Sequence, residues 1–193
     1  MNILNVGYDS TNYYILADSK PRLLIDIGFP GTLLKLQAQL KRVDIKLTDI
    51  KHLLATHYHP DHAGLAQELK NLGLKLIVVD LQLSAIPTLK THMKPSYHYV
   101  EINLKDNLII TLAESRAFLA KLGIQGEIIA TPGHSDDSVT LITDEGAAFT
   151  GDLTPSLMAG ENNVQIIQAS WDAIRAHGAK VGYPGHGPSF KLT

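Results

Sequence analysis

The run Thr56-His57-Tyr58-His59-Pro60-Asp61-His62-Ala63-Gly64 follows directly on the apolar residues Leu53-Leu54-Ala55, and it restricts the fold more than any other stretch. His57, His59, Asp61 and His62 fall within six residues. Imidazole nitrogen and carboxylate oxygen are the donors that zinc and related divalent ions accept. On an extended strand end, residues two apart face the same way, so His57 and His59 can grip one ion. Pro60 then ends the strand and suits the first position of a helix. Asp61 and His62 fall in that first helical turn and point elsewhere. One strand-to-helix turn therefore offers two ligand sets, enough to begin two adjacent metal sites.

Further donors are needed, and three other segments supply them in the same context. Thr131-Pro132-Gly133-His134-Ser135 follows Ile128-Ile129-Ala130, and Thr150-Gly151-Asp152 follows Ala147-Ala148-Phe149. Tyr183-Pro184-Gly185-His186-Gly187 follows Ala179-Lys180-Val181. Each sets a His or Asp at the end of a short apolar strand, among glycines or prolines that permit a tight turn. Taken singly, each is also ordinary turn chemistry. Four strand ends presenting such groups to one edge would form a pocket.

The rest of the chain alternates strands and helices without a linker, repeat or low-complexity tract. Strands are expected near Asn12–Ala17, Leu23–Asp26, His52–Thr56, Lys75–Val79, Asn107–Thr111, Glu127–Thr131, Ser138–Thr143, Ala147–Thr150 and Ala179–Tyr183. Helices are expected near Gly31–Arg42, Asp61–Leu72, Glu114–Leu122 and Val164–Ala176. In the first helix Leu33, Leu34, Leu36 and Leu40 give a helically spaced apolar stripe. Asp144-Glu145-Gly146 reads as a hairpin turn. Periodicity alone supports a mixed α and β fold.

The order H-x-H-x-D-H, a distant His, an Asp and a final His resembles the signature of the metallo-β-lactamase superfamily. Leu24-Ile25-Asp26-Ile27-Gly28 is similar to that family's early strand ending in Asp-x-Gly. The resemblance implies an α/β (α+β) fold, a four-layer αββα sandwich, with the whole chain, 1–193, as a single domain. It implies that His57, His59 and His134 bind a first metal and that Asp61, His62 and His186 bind a second. Asp152 would bridge the two. The donor set suits two zinc ions, with iron or manganese as alternatives.

Departures from named branches narrow the expectation. The chain has no cysteine to serve as a second-site ligand, yet Asp152 is present, which disfavours a true β-lactamase. Only seven residues follow His186, which leaves no helical extension of the glyoxalase II kind, and Leu153-Thr154-Pro155-Ser156-Leu157-Met158 does not match the Gly/Arg-rich stretch of those enzymes and the persulfide dioxygenases. No tyrosine stands shortly after Asp152 as in quorum-quenching lactonases, and the compact chain has no room for the added arms of the nucleases. It resembles the small generic hydrolases of the superfamily.

The length of 193 residues suits one domain, and 45% hydrophobic and 19% charged residues are ordinary for a soluble enzyme. A net charge of −2 offers no footprint for nucleic acid or an anionic membrane. With no apolar run of spanning length and no leader-like start, a cytoplasmic location is expected. A small-molecule substrate is the expected partner, and oligomeric state is open. Two nearby divalent ions can lower the pKa of a shared water towards neutrality, and Asp61 can orient that water and take its proton. The expected activity is hydrolysis of a small ester, thioester or lactone. The alternatives are an iron-dependent dioxygenase-like oxidoreductase, a phosphodiesterase or nuclease, and a non-catalytic metal-binding module.

Several residues outside the motif have two readings. Asp26 either holds the histidine loop or only ends its strand, and Ser135-Asp136-Asp137-Ser138 either caps the next segment or presents carboxylates to the pocket. His52 and His177 are read as structural, His177 near a helix end. His92, Tyr97, His98 and Tyr99, in the irregular stretch Thr91–Tyr99, are candidates for a substrate wall.

Overall fold

A computed structural model describes residues 2–19, 21–158, 160 and 163–192. Its first half builds a six-stranded sheet in sequential order: β1 (Ile3–Asn5), β2 (Tyr14–Leu16), β3 (Arg22–Ile25), β4 (Ile50–Leu54), β5 (Lys75–Val79) and β6 (Leu108–Ile110). The first two pairings are antiparallel and the last three parallel. Helices α1 (Leu33–Arg42), α2 (Pro60–Ala63), α3 (Ala66–Asn71) and α4 (Ala85–Thr88) lie in the crossovers. Helix α5 (Leu112–Lys121) leads to the second sheet, which has β7 (Gly126–Ala130), β8 (Val139–Thr143), β9 (Ala147–Gly151), β10 (Val181–Pro184) and β11 (Phe190–Lys191). Helix α6 (Val164–Ala176) joins β9 to β10, which run parallel as such a crossover requires.

Side-chain alternation sets the layers. Leu53, Leu76 and Val78 pack with Leu36 and Leu40 of α1 and Leu69 of α3, whereas Leu54, Ile77 and Val79 turn the other way. These meet Ile128, Val139, Leu141 and Phe149 between the two sheets. Ile142 and Ala148 face outward from the second sheet, against Ile167, Trp171 and Ile174 of α6. The order is helix, sheet, sheet, helix. A strand buried on both faces must be apolar at every position, and β5 and β8 are apolar or Thr at all buried sites. No helix among the described residues is long and apolar enough to cross a membrane.

Two expected features change. The helix foreseen over Asp61–Leu72 is divided into α2 and α3, because local backbone groups bond to the turn after β3. Ile27 N donates to His62 O at 2.7 Å, and Leu65 N donates to Gly28 O at 2.9 Å. The short outer strands β1 and β11, three and two residues long, lie beyond the foreseen set. Elsewhere boundaries shift by a few residues: α5 begins at Leu112 because Thr111 and Glu114 form a capping box. The turn 144–146 is a hairpin turn between β8 and β9, with Gly146 at φ 97°.

Candidate metal centre

Strand ends bring the motif residues together at one edge of the sandwich. His57, His59 and His134 each place one ligand atom within 4.8 Å of the others, and so do Asp61, His62 and His186. Asp152, just past β9, stands between the two sets. Its Oδ1 is 3.3 Å from His62 Nε2, and its Oδ2 is 3.3 Å from His186 Nε2 and 3.8 Å from His134 Nε2. His186 Nε2 and Asp61 Oδ2 are 3.3 Å apart. The final turn comes this close because residue 185 is glycine: a Cβ there would collide with Asp152 Oδ1 and His62 Cε1.

Hydrogen bonds at the outer nitrogens fix which ring atoms face inward. His186 Nδ1 donates to the carbonyl of Ser10 at 2.6 Å, which leaves the Nε2 lone pair for the site. His62 Nδ1 lies 2.9 Å from Asp26 Oδ2. Thr56 Oγ1 donates to Asp26 and meets His57 Nδ1 at 3.1 Å, so His57 also turns Nε2 inward. His59 presents the other nitrogen: its Nδ1 is 3.0 Å from His134 Nε2. Asp26 also accepts from the Thr56 backbone N–H at 2.8 Å, at a left-handed φ of 57° that its short side chain tolerates. Of the two roles open to it, Asp26 holds the histidine loop.

Three buried polar atoms of this cluster have no hydrogen-bond partner: His57 Nε2, His62 Nε2 and Asp152 Oδ1. An unpartnered buried donor or acceptor costs about 1–3 kcal/mol, and a cation held by His57, His62 and Asp152 would satisfy all three, two of which, His62 Nε2 and Asp152 Oδ1, face each other at 3.3 Å. The residues therefore fit metal ligation in position, donor type and orientation. Charge agrees. Burial, then the neighbouring His62, His59, His134 and His186, push His57 well below the usual imidazole range, leaving it neutral and ready to ligate. Burial also lowers His59, with His134 next in size. For His62 burial acts downward, but the carboxylates of Asp26 and Asp152 outweigh it and raise the pKa well above the usual range. For Asp152 burial acts upward and His62, His186 and His134 overcome it, holding the carboxylate ionised.

Supports outside the motif complete the site. Thr11 Oγ1 donates to Asp61 Oδ2 at 2.9 Å, and Asn12 Nδ2 donates to the carbonyls of Pro184 and Gly187. Asp137 neither caps nor faces the pocket; its Oδ2 accepts from Tyr58 N at 2.7 Å and so braces the histidine loop. Buried Gln82 reaches the carbonyls of Ala55, Thr56 and Asp137. None of these carries a motif; the polar turn Asp9-Ser10-Thr11-Asn12 is the one local hint. His52 stacks edge-on against Phe118 and His177 Nδ1 bonds Ala173 O, both away from the site.

The residues of the stretch Thr91–Tyr99 face different surroundings. Tyr97 packs on Phe29, Tyr99 packs against the α1-side core, and His98 is in a left-handed turn. Only His92 stands at the cluster, its ring 5.6 Å from that of His59. A cavity of about 630 Å³ opens instead on the other side, between the Leu153–Leu157 loop, α6 and β11, with His134, Asp152 and His186 at its edge.

Asp26 gives a direct check on this arrangement. Asp26→Asn keeps the shape and the left-handed backbone but loses the charge opposite His62. Metal affinity measured by competition with a chelator is expected to fall roughly 10–100-fold, with the protein still folded by circular dichroism. An unchanged affinity would show that Asp26 does not orient the histidines.

Comparison with known proteins gives the same lineage. An atrochrysone carboxyl ACP thioesterase of Aspergillus fumigatus is 30% identical over 186 residues, covering 92% of this chain and 50% of that protein. A β-lactamase-like protein 2 homolog of Caenorhabditis elegans is 27% identical over 190 residues, covering 92% of this chain and 56% of that protein. The chain thus spans about half the length of the curated relatives it matches. Among solved structures, a metallo-β-lactamase family protein of Thermus thermophilus superposes with a TM-score of 0.75 at 21% identity, covering 98% of this chain and 74% of that one. A β-lactamase from Chitinophaga pinensis gives 0.70 at 17%, covering 96% and 75%. At such identities the likeness is one of fold. The family model described as the metallo-beta-lactamase superfamily matches residues 6–186, a span that opens just before the Ser10 loop and closes on the histidine that loop holds. The chain belongs to that superfamily.

Proposed function

We propose that the chain is a metal-dependent hydrolase of small esters, thioesters or lactones, with His57, His59 and His134 holding one ion, Asp61, His62 and His186 the other, and Asp152 shared. The observation that carries this reading is the convergence of the unpartnered atoms His57 Nε2, His62 Nε2 and Asp152 Oδ1 on a centre beside an open cavity. Two divalent ions, zinc first for so imidazole-rich a set, would bring a water's pKa towards neutrality and polarise an acyl oxygen.

The protein's own groups do the rest. Asp61, held by Thr11, orients the attacking water and accepts its proton. The water oxygen bonds to the acyl carbon, the bond to the leaving sulfur or oxygen breaks, and the proton passes to that atom. A carboxylic acid and a thiol or alcohol result. His134, Asp152 and His186 form the cavity's reactive edge, so the acyl group lies in the cavity. The A. fumigatus relative's name, a thioesterase, supports the thioester member of the class.

The test is a panel of thioesters, aryl esters, homoserine lactones, β-lactams, bis-p-nitrophenyl phosphate and RNA, with zinc-reconstituted protein and a chelated control. Metal-dependent turnover of thioesters or esters is expected. Cleavage confined to phosphodiesters would reject the substrate class, and oxygen uptake with a persulfide would move the protein to the oxidoreductases.

A further inference from the structure

The cavity beside the metal centre has two unlike ends, fixed by two independent elements. On α6, Ile167 packs against Gly133 and Ser170 Oγ donates to Pro132 O at 2.7 Å, so this half of the helix adjoins the His134 turn. Arg175 lies eight residues after Ile167, roughly 12 Å further along the axis. On the second sheet, β10 runs towards His186, and Lys191 pairs with Val181 at its opposite end, roughly 10 Å from Pro184. Both lining cations therefore sit away from the metal edge.

Between the ends the wall is apolar and braced. Trp171 and Phe190 meet edge to face at 5.9 Å, and Trp171 Nε1 donates to Thr154 O at 2.8 Å. Phe190 lies directly over Gly182, where any Cβ would strike its ring. Leu157 is fully exposed at the cavity's lip. Asp152, which belongs to the metal edge, is the one carboxylate among the described lining residues. Asp172, outside the lining, is 3.3 Å from Arg175 Nη1 and offsets part of that charge, so Lys191 carries the larger share.

We infer that this cavity selects an extended apolar acyl group whose far end bears an anion, held by Lys191 with Arg175. The inference rests on the hydrolase reading for the word acyl, but the cavity's selectivity is measurable without turnover. The probes are octanoate and octanedioate, equal in chain length and differing in the far carboxylate, with butanedioate as a short control. They are titrated calorimetrically into the purified protein, zinc-reconstituted and chelated.

Octanedioate is expected to bind roughly fivefold more tightly than octanoate, as an exposed charge contact allows, with the preference shrinking as salt rises. Butanedioate, too short to span the cavity, should bind more weakly than octanedioate. Lys191→Gln should remove most of the preference and Lys191→Gln with Arg175→Gln all of it, while Lys121→Gln on α5 leaves it intact. Equal binding of the two long probes, a preference that survives the double variant, or no saturable binding of octanedioate would each overturn the inference. The two readings fail separately. Octanedioate selectivity without turnover of any ester or thioester rejects only the hydrolase, whereas thioester turnover without that selectivity rejects only the anionic far end.

Discussion

Asp152→Ala is expected to lower turnover by roughly 10³-fold or more and to leave at most one metal equivalent per chain, where two are expected for the parent protein. This carboxylate reaches both ligand sets: Oδ1 is 3.3 Å from His62, and Oδ2 is 3.8 Å from His134. Alanine removes both contacts and leaves the imidazoles of the two sets with no negative charge between them. Lewis-acid stabilisation of an acyl transition state is worth several kcal/mol, which sets the scale of the loss. Elemental analysis and turnover are measured on the same sample, before and after zinc reconstitution. A variant that keeps two equivalents and normal turnover would show that Asp152 is a bystander; a parent protein that never exceeds one would reject the paired site.

The candidate ligand residues stood out in the sequence because their chemistry is concentrated and local. Three imidazoles and a carboxylate around Pro60 suit a metal far better than a solvated turn, and His134, Asp152 and His186 each end an apolar run. The αββα order came from the resemblance, since alternation in Leu76-Ile77-Val78-Val79 says that both faces are buried but not by what. What escaped was whatever depends on distant parts of the chain meeting. Thr11 reaches Asp61 across 50 positions and Ser10 reaches His186 across 176, and neither pairing leaves a local trace. Gln82, outside every strand and helix expected from the sequence, bonds three carbonyls beneath the histidine loop.

The surroundings of the cluster were hard to read for a related reason. An irregular stretch rich in aromatics, Thr91–Tyr99, has the composition of a binding loop, yet Tyr97 and Tyr99 satisfy that character by packing against Phe29 and the core. The residues that do wall the cavity, Trp171 and Phe190, sit on a helix and a two-residue strand whose patterns speak only of secondary structure. Local composition reports what a side chain can do, and only the tertiary fold decides which side chain has the chance.

Asp61→Asn separates holding a metal from moving a proton, and its expected effect is a fall in turnover of roughly 10²–10⁴-fold. The first ligand set, His57, His59 and His134, does not include Asp61, so its occupancy should persist. Asparagine keeps the volume and one oxygen, and Thr11 Oγ1 can still donate to that oxygen as it does to Oδ2 at 2.9 Å. The amide cannot accept a proton from an attacking water at neutral pH, so the chemical step loses its base while the scaffold stays. Some weakening at the second set is expected as well, because Asp61 Oδ2 is 3.3 Å from His186 Nε2. Excess zinc distinguishes the two effects: saturating metal should restore occupancy but not rate. Recovery of full turnover at saturating zinc, or equal turnover by parent and variant, would confine Asp61 to metal binding and assign the proton to another acceptor.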